Sequence, residues 1–123
     1  MHVNCLDSMA FLRLERDFGN FDTWQKDFIA CALSSRSGYA LTVYNIPLRR
    51  YLNIIVDDHS LGVPIGSIPI LSLCVSPEAY FRDYLNDRKS YVYAMMKEIN
   101  WGAVEERIKK AEKVAKVFGG EQK

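Results

Sequence analysis

Residues 73–81 read Leu-Cys-Val-Ser-Pro-Glu-Ala-Tyr-Phe, and in this stretch an apolar strand end leads directly into the start of a helix. Ser76 is a favourable N-cap residue, because its hydroxyl can accept a hydrogen bond from an unpaired amide of the first turn. Pro77 suits the first helical position, where its missing N–H costs nothing. Glu78 places a carboxylate near the positive end of the helix dipole. The stretch therefore predicts a strand-to-helix junction.

Outward from this junction, the chain predicts one helix, three strands and three further helices. Asn20 is the expected cap of the first helix, which carries an apolar stripe at spacings of three and four: Phe21, Trp24, Phe28 and Cys31. Aromatic and β-branched residues predict strands at 38–44 and 50–56. The nearly all-apolar run 68–75 predicts a third strand that is buried on both faces. The later helices are predicted at 77–87, 90–99 and 101–118.

The last predicted helix has the clearest pattern in the chain. One apolar face recurs at steps of four and three: Val104, Ile108, Ala111, Ala115 and Phe118. Three glutamates stand four residues before lysines, as Glu105–Lys109, Glu106–Lys110 and Glu112–Lys116. We expect these ion pairs to form a solvated face, in preference to an RNA-binding stripe.

The order of elements predicts an α+β fold, with a three-stranded antiparallel sheet packed with helices. At 123 residues the chain is long enough for one small domain. We expect that domain to span 18–119, with 1–17 an N-terminal tail or partial helix and 120–123 a C-terminal tail.

Composition argues against several classes of protein. The net charge of +1 gives no strong attraction to nucleic acid or membrane, and glycine and proline interrupt the longest uncharged run, 61–77. We therefore expect no direct membrane insertion. Cys5, Cys31 and Cys74 are too few and too scattered for a disulfide framework, which suits a reducing compartment.

Three groups of residues are chemical candidates, and each has a simpler interpretation. Cys74 and Glu78 could hold a zinc ion, but a stable site needs three or four ligands and no CxxC or HxxxH pair completes it. Residues 57–60, Asp-Asp-His-Ser, resemble a hydrolase cluster but are more typical of a turn. Five aromatic residues could stack on bases, although their helical spacing favours packing: Tyr80, Phe81, Tyr84, Tyr91 and Tyr93. The residues alone predict no catalytic, cofactor-binding or metal-binding residue and no cofactor.

The 73–81 stretch resembles the second metal-binding segment of the iron/manganese superoxide dismutases, Leu-Asp-Val-Trp-Glu-His-Ala-Tyr-Tyr. The resemblance runs from about Glu15 to Lys113, including 18–22 (Phe-Gly-Asn-Phe-Asp) against the family's Phe-Gly-Ser-Phe-Asp. It implies the fold of the family's C-terminal domain. It also implies that Cys74 stands at the position of a metal-ligand Asp, Glu78 at that of a metal-ligand His, and Pro77 at that of a Glu that joins two subunits.

The departures from the family pattern extend beyond this segment. Asp58 stands where the manganese enzymes have a glutamine that bonds the metal-bound water. Two further ligand histidines come, in the family, from an N-terminal helical region that we expect this chain to lack, and it has only His2 and His59. We therefore expect no enzyme activity.

These departures predict a pseudoenzyme that serves as a non-catalytic structural subunit of a large assembly in the mitochondrial matrix. The first choice is a ribosomal protein of the mitochondrial small subunit, a ribonucleoprotein in which dismutase-like proteins occur. The alternatives are an accessory subunit of a respiratory or ATP-synthase complex and a metal-dependent superoxide dismutase. The expected partners are protein subunits, among them a second dismutase-like protein, with room for a peripheral contact with ribosomal RNA. The predicted contact side contains Phe11, Leu12, Phe18 and Trp24.

Overall fold

The structure, a computed structural model, describes residues 9–35, 38–57 and 66–119. These ranges contain the following helices and strands in chain order: α1 (Met9–Phe18), α2 (Phe21–Ser34), β1 (Gly38–Asn45), β2 (Arg50–Asp57), β3 (Ser67–Cys74), α3 (Pro77–Tyr84), α4 (Arg88–Lys97) and α5 (Trp101–Gly119). The predicted α+β class is confirmed. Within these ranges, no helix combines the length and the apolar character that a membrane crossing requires.

The sheet is antiparallel and has the order β2-β1-β3, so β1 pairs on both sides. The prediction that 68–75 is buried on both faces was wrong, because β3 lies at an edge and Pro69 and Ser72 are exposed. Proline lacks the N–H that an interior ladder needs, and it is tolerated at an edge or beside a bulge. The register of β3 against β1 shifts between Thr42 and Val43, next to the partner of Pro69.

Helix α2 is fixed to the sheet by a buried chain of hydrogen bonds. The indole N–H of Trp24 donates to Thr42 Oγ1 at 3.0 Å, and the Thr42 hydroxyl donates to Asn53 Oδ1 at 2.6 Å. Trp24 is fully buried, so its predicted role as a partner contact was wrong: its ring belongs to the domain's own core. The predicted cap is confirmed, since Asn20 Oδ1 accepts from the Thr23 amide at 2.7 Å.

Helix α1, which lies largely in the stretch expected to be a tail or partial helix, packs in the same core. Its side chains at Ala10 and Leu14 are buried, four residues apart on one helix face. Its first amides find their acceptor in α5, where the Glu105 carboxylate accepts from the Met9 and Ala10 N–H groups at 3.3 and 3.1 Å. A cap supplied by a residue some 95 positions away leaves no local signal in the sequence.

A second glutamate of α5 joins α1 to the sheet. Glu112 accepts from Arg13 Nε and Nη2 at 2.7 and 3.1 Å and from the Tyr51 hydroxyl at 2.6 Å. The predicted pairing of Glu105 and Glu112 along α5 was therefore wrong, and in the described part of the chain no ion pair joins two α5 side chains.

Protonation of Glu112 should weaken this junction. Burial raises the pKa of Glu112, but the hydrogen bonds from Arg13 and Tyr51 outweigh that effect, and the pKa lies below its ordinary value of 4.5. Because the folded pKa is below the unfolded one, the stabilisation is complete above the unfolded value and is lost as pH falls through the folded value.

The predicted buried row of α5 is confirmed at Val104, Ile108, Ala111 and Ala115, which are each at most 1% exposed. Ile108→Asp should lower the free energy of unfolding by about 3 kcal/mol or more, because it buries an unpaired charge. Lys109→Asp, at an exposed position, should cost less than about 1 kcal/mol. Chemical denaturation of the two variants measures both values, and equal losses would contradict this orientation of α5.

Candidate functional site

The junction between β3 and α3 is held against the first residues of β1. Cys74 pairs with Tyr39 across the strands, and the Val75 amide donates to the Gly38 carbonyl at 2.7 Å. The Gly38 amide in turn donates to Ser76 Oγ at 3.0 Å. Gly38 has φ of 124°, a conformation that glycine adopts readily. The end of one strand and the start of another are thereby joined by three consecutive contacts.

Ser76 occupies the N-cap position of α3, as predicted, but its side chain forms no capping hydrogen bond with the helix. The prediction of that bond was wrong, because the hydroxyl is used as an acceptor for the Gly38 amide. Pro77 does stand in the first turn of α3, where its missing N–H leaves no donor unpaired. The junction is thus stabilised across the sheet more than along the helix.

Tyr91 of α4 also supports the junction. Its hydroxyl donates to the Cys74 carbonyl at 2.7 Å, and its ring stacks on Tyr80 with centroids 5.0 Å apart. Burial raises the pKa of Tyr91, so the hydroxyl stays protonated and remains a donor. The packing role predicted for the aromatic residues holds for Tyr80, Tyr84 and Tyr91. Phe81 and Tyr93 are instead about half exposed.

Arg88 of α4 connects the junction to the end of α2, a contact that the sequence does not predict. Its guanidinium donates to the carbonyl oxygens of Ala32 and Ser35 and to the Tyr80 hydroxyl at 3.3 Å. The last carbonyls of a helix have no partner within the helix, and a cation placed there also suits the helix dipole. Arg88 therefore fixes α3, α4 and the end of α2 relative to one another.

The described residues do not by themselves form a manganese or iron site. At the junction Cys74 is a half-buried free thiol and Glu78 is exposed. Across residues 9–35, 38–57 and 66–119, no three His, Cys, Asp or Glu side chains come together. A thiolate suits softer metals, whereas manganese favours oxygen ligands. The prediction that the chain has no catalytic, cofactor-binding or metal-binding residue stays a prediction.

Of the predicted turn with hydrolase-like residues, the structure describes Asp57 alone, which pairs across the strands with Gly38 of the junction. Asp57 ends β2, and Asp58, His59 and Ser60 lie outside the described residues, as does His2. Both histidines of the chain are therefore outside the described ranges.

A cavity of about 180 Å³ lies between α2, β3 and the end of α4. Six of its lining side chains are apolar and three are polar, with Glu98 the one ionisable group among them: Phe28, Leu71, Leu73, Met95, Met96 and Ile99, then Ser72, Glu98 and Asn100. One carboxylate beside two neutral polar side chains is fewer than the three protein ligands of a typical catalytic metal site.

Comparison with known proteins gives one family and several named relatives. Residues 9–107 match the family model of the iron/manganese superoxide dismutases, C-terminal domain. A manganese superoxide dismutase of Halobacterium salinarum is 39% identical over 99 residues, which are 80% of this chain and 49% of that protein. The corresponding protein of Haloarcula marismortui is 35% identical over 80% of this chain and 48% of its own length. This chain spans about half the length of the curated relatives it matches.

These names overturn the prediction of a non-catalytic subunit of a large mitochondrial assembly. The relatives are named as enzymes, so the statement that the chain is not an enzyme was wrong, together with the ribosomal, respiratory-complex and pseudoenzyme assignments. The assignment to a mitochondrial assembly depends on the same interpretation and conflicts with these names. The predicted protein partners, the rRNA contact and the location in the matrix are not tested by these names and stay predictions.

The contact between Tyr91 and Cys74 can be tested without changing the shape of the core. Tyr91→Phe removes one hydroxyl and leaves a junction carbonyl without its donor, so the free energy of unfolding should fall by about 1–2 kcal/mol. Tyr93→Phe, on the same helix but 46% exposed, is the matched control and should change it by less than about 0.5 kcal/mol. Similar values for both variants in urea denaturation would show that the junction does not depend on this hydrogen bond.

Proposed function

Because the chain belongs to the iron/manganese superoxide dismutase family, we propose that it acts as the C-terminal domain of a metal-dependent superoxide dismutase. The observation that carries the proposal is the 39% identity over 99 residues with a protein named as a manganese superoxide dismutase. Further support comes from a relative named in the same way in Nocardia asteroides, which is 31% identical over 86% of this chain.

Within such an enzyme, the described residues provide a rigid frame. The hydrogen bonds of Gly38, Tyr91 and Arg88 fix the strand-to-helix junction against β1, α2 and α4. Catalytic groups need positions held to a fraction of an ångström, and side chains locked by neighbouring hydrogen bonds give that precision. Cys74 ends β3 and Glu78 lies in the first turn of α3, so both belong to this frame. Their correspondence to metal-ligand positions rests on the resemblance of residues 73–81 alone.

The junction offers only two side chains, Cys74 and Glu78, that could bind a metal, and this number limits the proposal. Two side chains of different chemistry are fewer than the three or four protein ligands that metal enzymes use. The remaining ligands would have to come from residues outside the described ranges, which include His2 and His59, or from another polypeptide segment. Cys74 and Glu78 could therefore supply only part of a metal's coordination.

The test is metal analysis and a superoxide dismutation assay on the full-length protein isolated from its own source. The proposal predicts stoichiometric manganese or iron and an activity that disappears when a chelator removes the metal. A protein free of both metals and without activity would contradict it.

Two variants sharpen this test. Cys74→Asp combined with Glu78→His restores the residue types that the family has at these metal-ligand positions. This restored variant is the positive control for metal binding and dismutase activity. Asp83→His places an imidazole on an exposed position of the same helix and is the matched control. The proposal predicts activity in the unmodified protein as well as in the restored variant. Activity in the restored variant alone would show that the natural residues at 74 and 78 do not support the reaction.

A further inference from the structure

The outward side of α5 carries a concentration of positive charge. We call this surface the lysine face and define it by seven exposed residues: Arg107, Lys109, Lys110, Lys113, Val114, Lys116 and Val117. Residues three and four apart are neighbours on a helix surface, so these side chains form two adjacent rows. One row is Lys109, Lys113 and Lys116. The other is Arg107, Lys110, Val114 and Val117.

The charge of this face is unbalanced because the acidic residues of α5 are engaged elsewhere. The sequence of α5 places each of three glutamates four residues before a lysine, which predicts three ion pairs on a solvated face and leaves only Arg107 and Lys113 without an acidic partner. In the structure the carboxylates of Glu105 and Glu112 contact the backbone amides and the arginine of α1. Glu106, which stands three and four residues before Lys109 and Lys110 and so lies at the start of the lysine row, is the one exposed glutamate on the described part of α5, against five basic side chains. Such a local excess attracts anionic groups even though the net charge of the chain is only +1.

The two valines give the face an apolar component. Val114 is 39% exposed and Val117 is 77% exposed, and they lie three residues apart in the row beside the lysines. Single exposed apolar residues are normal on a protein surface. Here they lie next to a row of cations, so a partner could place acidic side chains along one row and apolar side chains along the other.

The composition of the face favours a protein over a nucleic acid. Recognition of single-stranded nucleic acid relies on aromatic side chains that stack on bases, and the lysine face has none. It also has only one arginine, the residue that binds phosphate in a bidentate manner. We propose that the lysine face docks an acidic, amphipathic segment of a partner protein. This proposal does not depend on dismutase activity.

The binding test uses the full chain and a fluorescein-labelled synthetic peptide with glutamates on one helical side and leucines on the other. Replacing Lys109, Lys113 and Lys116 by Gln should weaken binding by about tenfold, since the three replacements together remove the exposed ion pairs with the peptide's glutamates. The matched control removes the same charge from exposed positions on α3 and α4, by Arg82→Gln, Lys89→Gln and Lys97→Gln, and should leave the affinity unchanged. Val114→Ser with Val117→Ser should weaken binding severalfold, and circular dichroism checks that each variant is folded.

Several outcomes would overturn the proposal. Equal losses in the two charge-neutralised variants would mean that only net charge attracts the peptide. A labelled single-stranded RNA could bind the chain more tightly than the peptide does. If the α5 variant then lost that RNA binding, the lysine face would be a nucleic-acid surface. Binding of phosphatidylserine vesicles in place of the peptide would identify a membrane surface. A peptide that does not bind the unmodified chain would refute the docking surface directly.

Discussion

The Glu112 carboxylate is the contact on which the position of α1 against α5 and the sheet depends. It lies about a quarter exposed and accepts hydrogen bonds from α1 and from β2 at once. A bidentate bond between guanidinium and carboxylate is both stronger and more directional than a single neutral hydrogen bond. With Glu105 satisfying the first amides of α1, two residues seven positions apart on α5 fix the direction of α1 as well as its place.

This use of the glutamates gives α5 three different surfaces. Its apolar row at Val104, Ile108 and Ala111 packs in the core, and its acidic side chains at Glu105 and Glu112 face α1. The lysines remain on the third side, next to water. The glutamates and lysines that the sequence pairs along one solvated face are therefore separated in the fold, with Glu105 and Glu112 directed to α1 and the lysines to water.

Local patterns were sufficient to predict much of the fold. The 3.6-residue period of 101–118, the Asn20 cap and the strand-to-helix junction at Pro77 each depend on neighbours within a few positions. The contacts that the sequence could not supply join distant segments. Ser76 binds Gly38, Glu105 caps α1, and Arg88 binds the end of α2. The edge position of β3 did have a local signal in Pro69, which the apolar character of the strand obscured.

The functional prediction failed for a different reason. The replacements at Cys74, Glu78 and Asp58, together with two ligand histidines that the chain was expected to lack, were taken to outweigh a resemblance that covers most of the domain, whereas the similar proteins are named as dismutases. The scaffold that surrounds Cys74 and Glu78 is supported by hydrogen bonds from β1 and α4. The family of the chain is therefore identified from the similarity of the whole domain, and not from the chemistry of these two side chains.

A double-mutant cycle tests most directly whether the α5 glutamates serve α1 and not the neighbouring lysines. The cycle combines Glu112→Gln with Arg13→Met, and a parallel cycle combines it with Lys116→Met, with the free energy of unfolding measured at neutral pH. The structure predicts a coupling of about 1 kcal/mol or more between Glu112 and Arg13, and a coupling below about 0.5 kcal/mol between Glu112 and Lys116. The opposite ranking would show that Glu112 pairs along its own helix, and would contradict both the anchoring of α1 and the charge excess of α5.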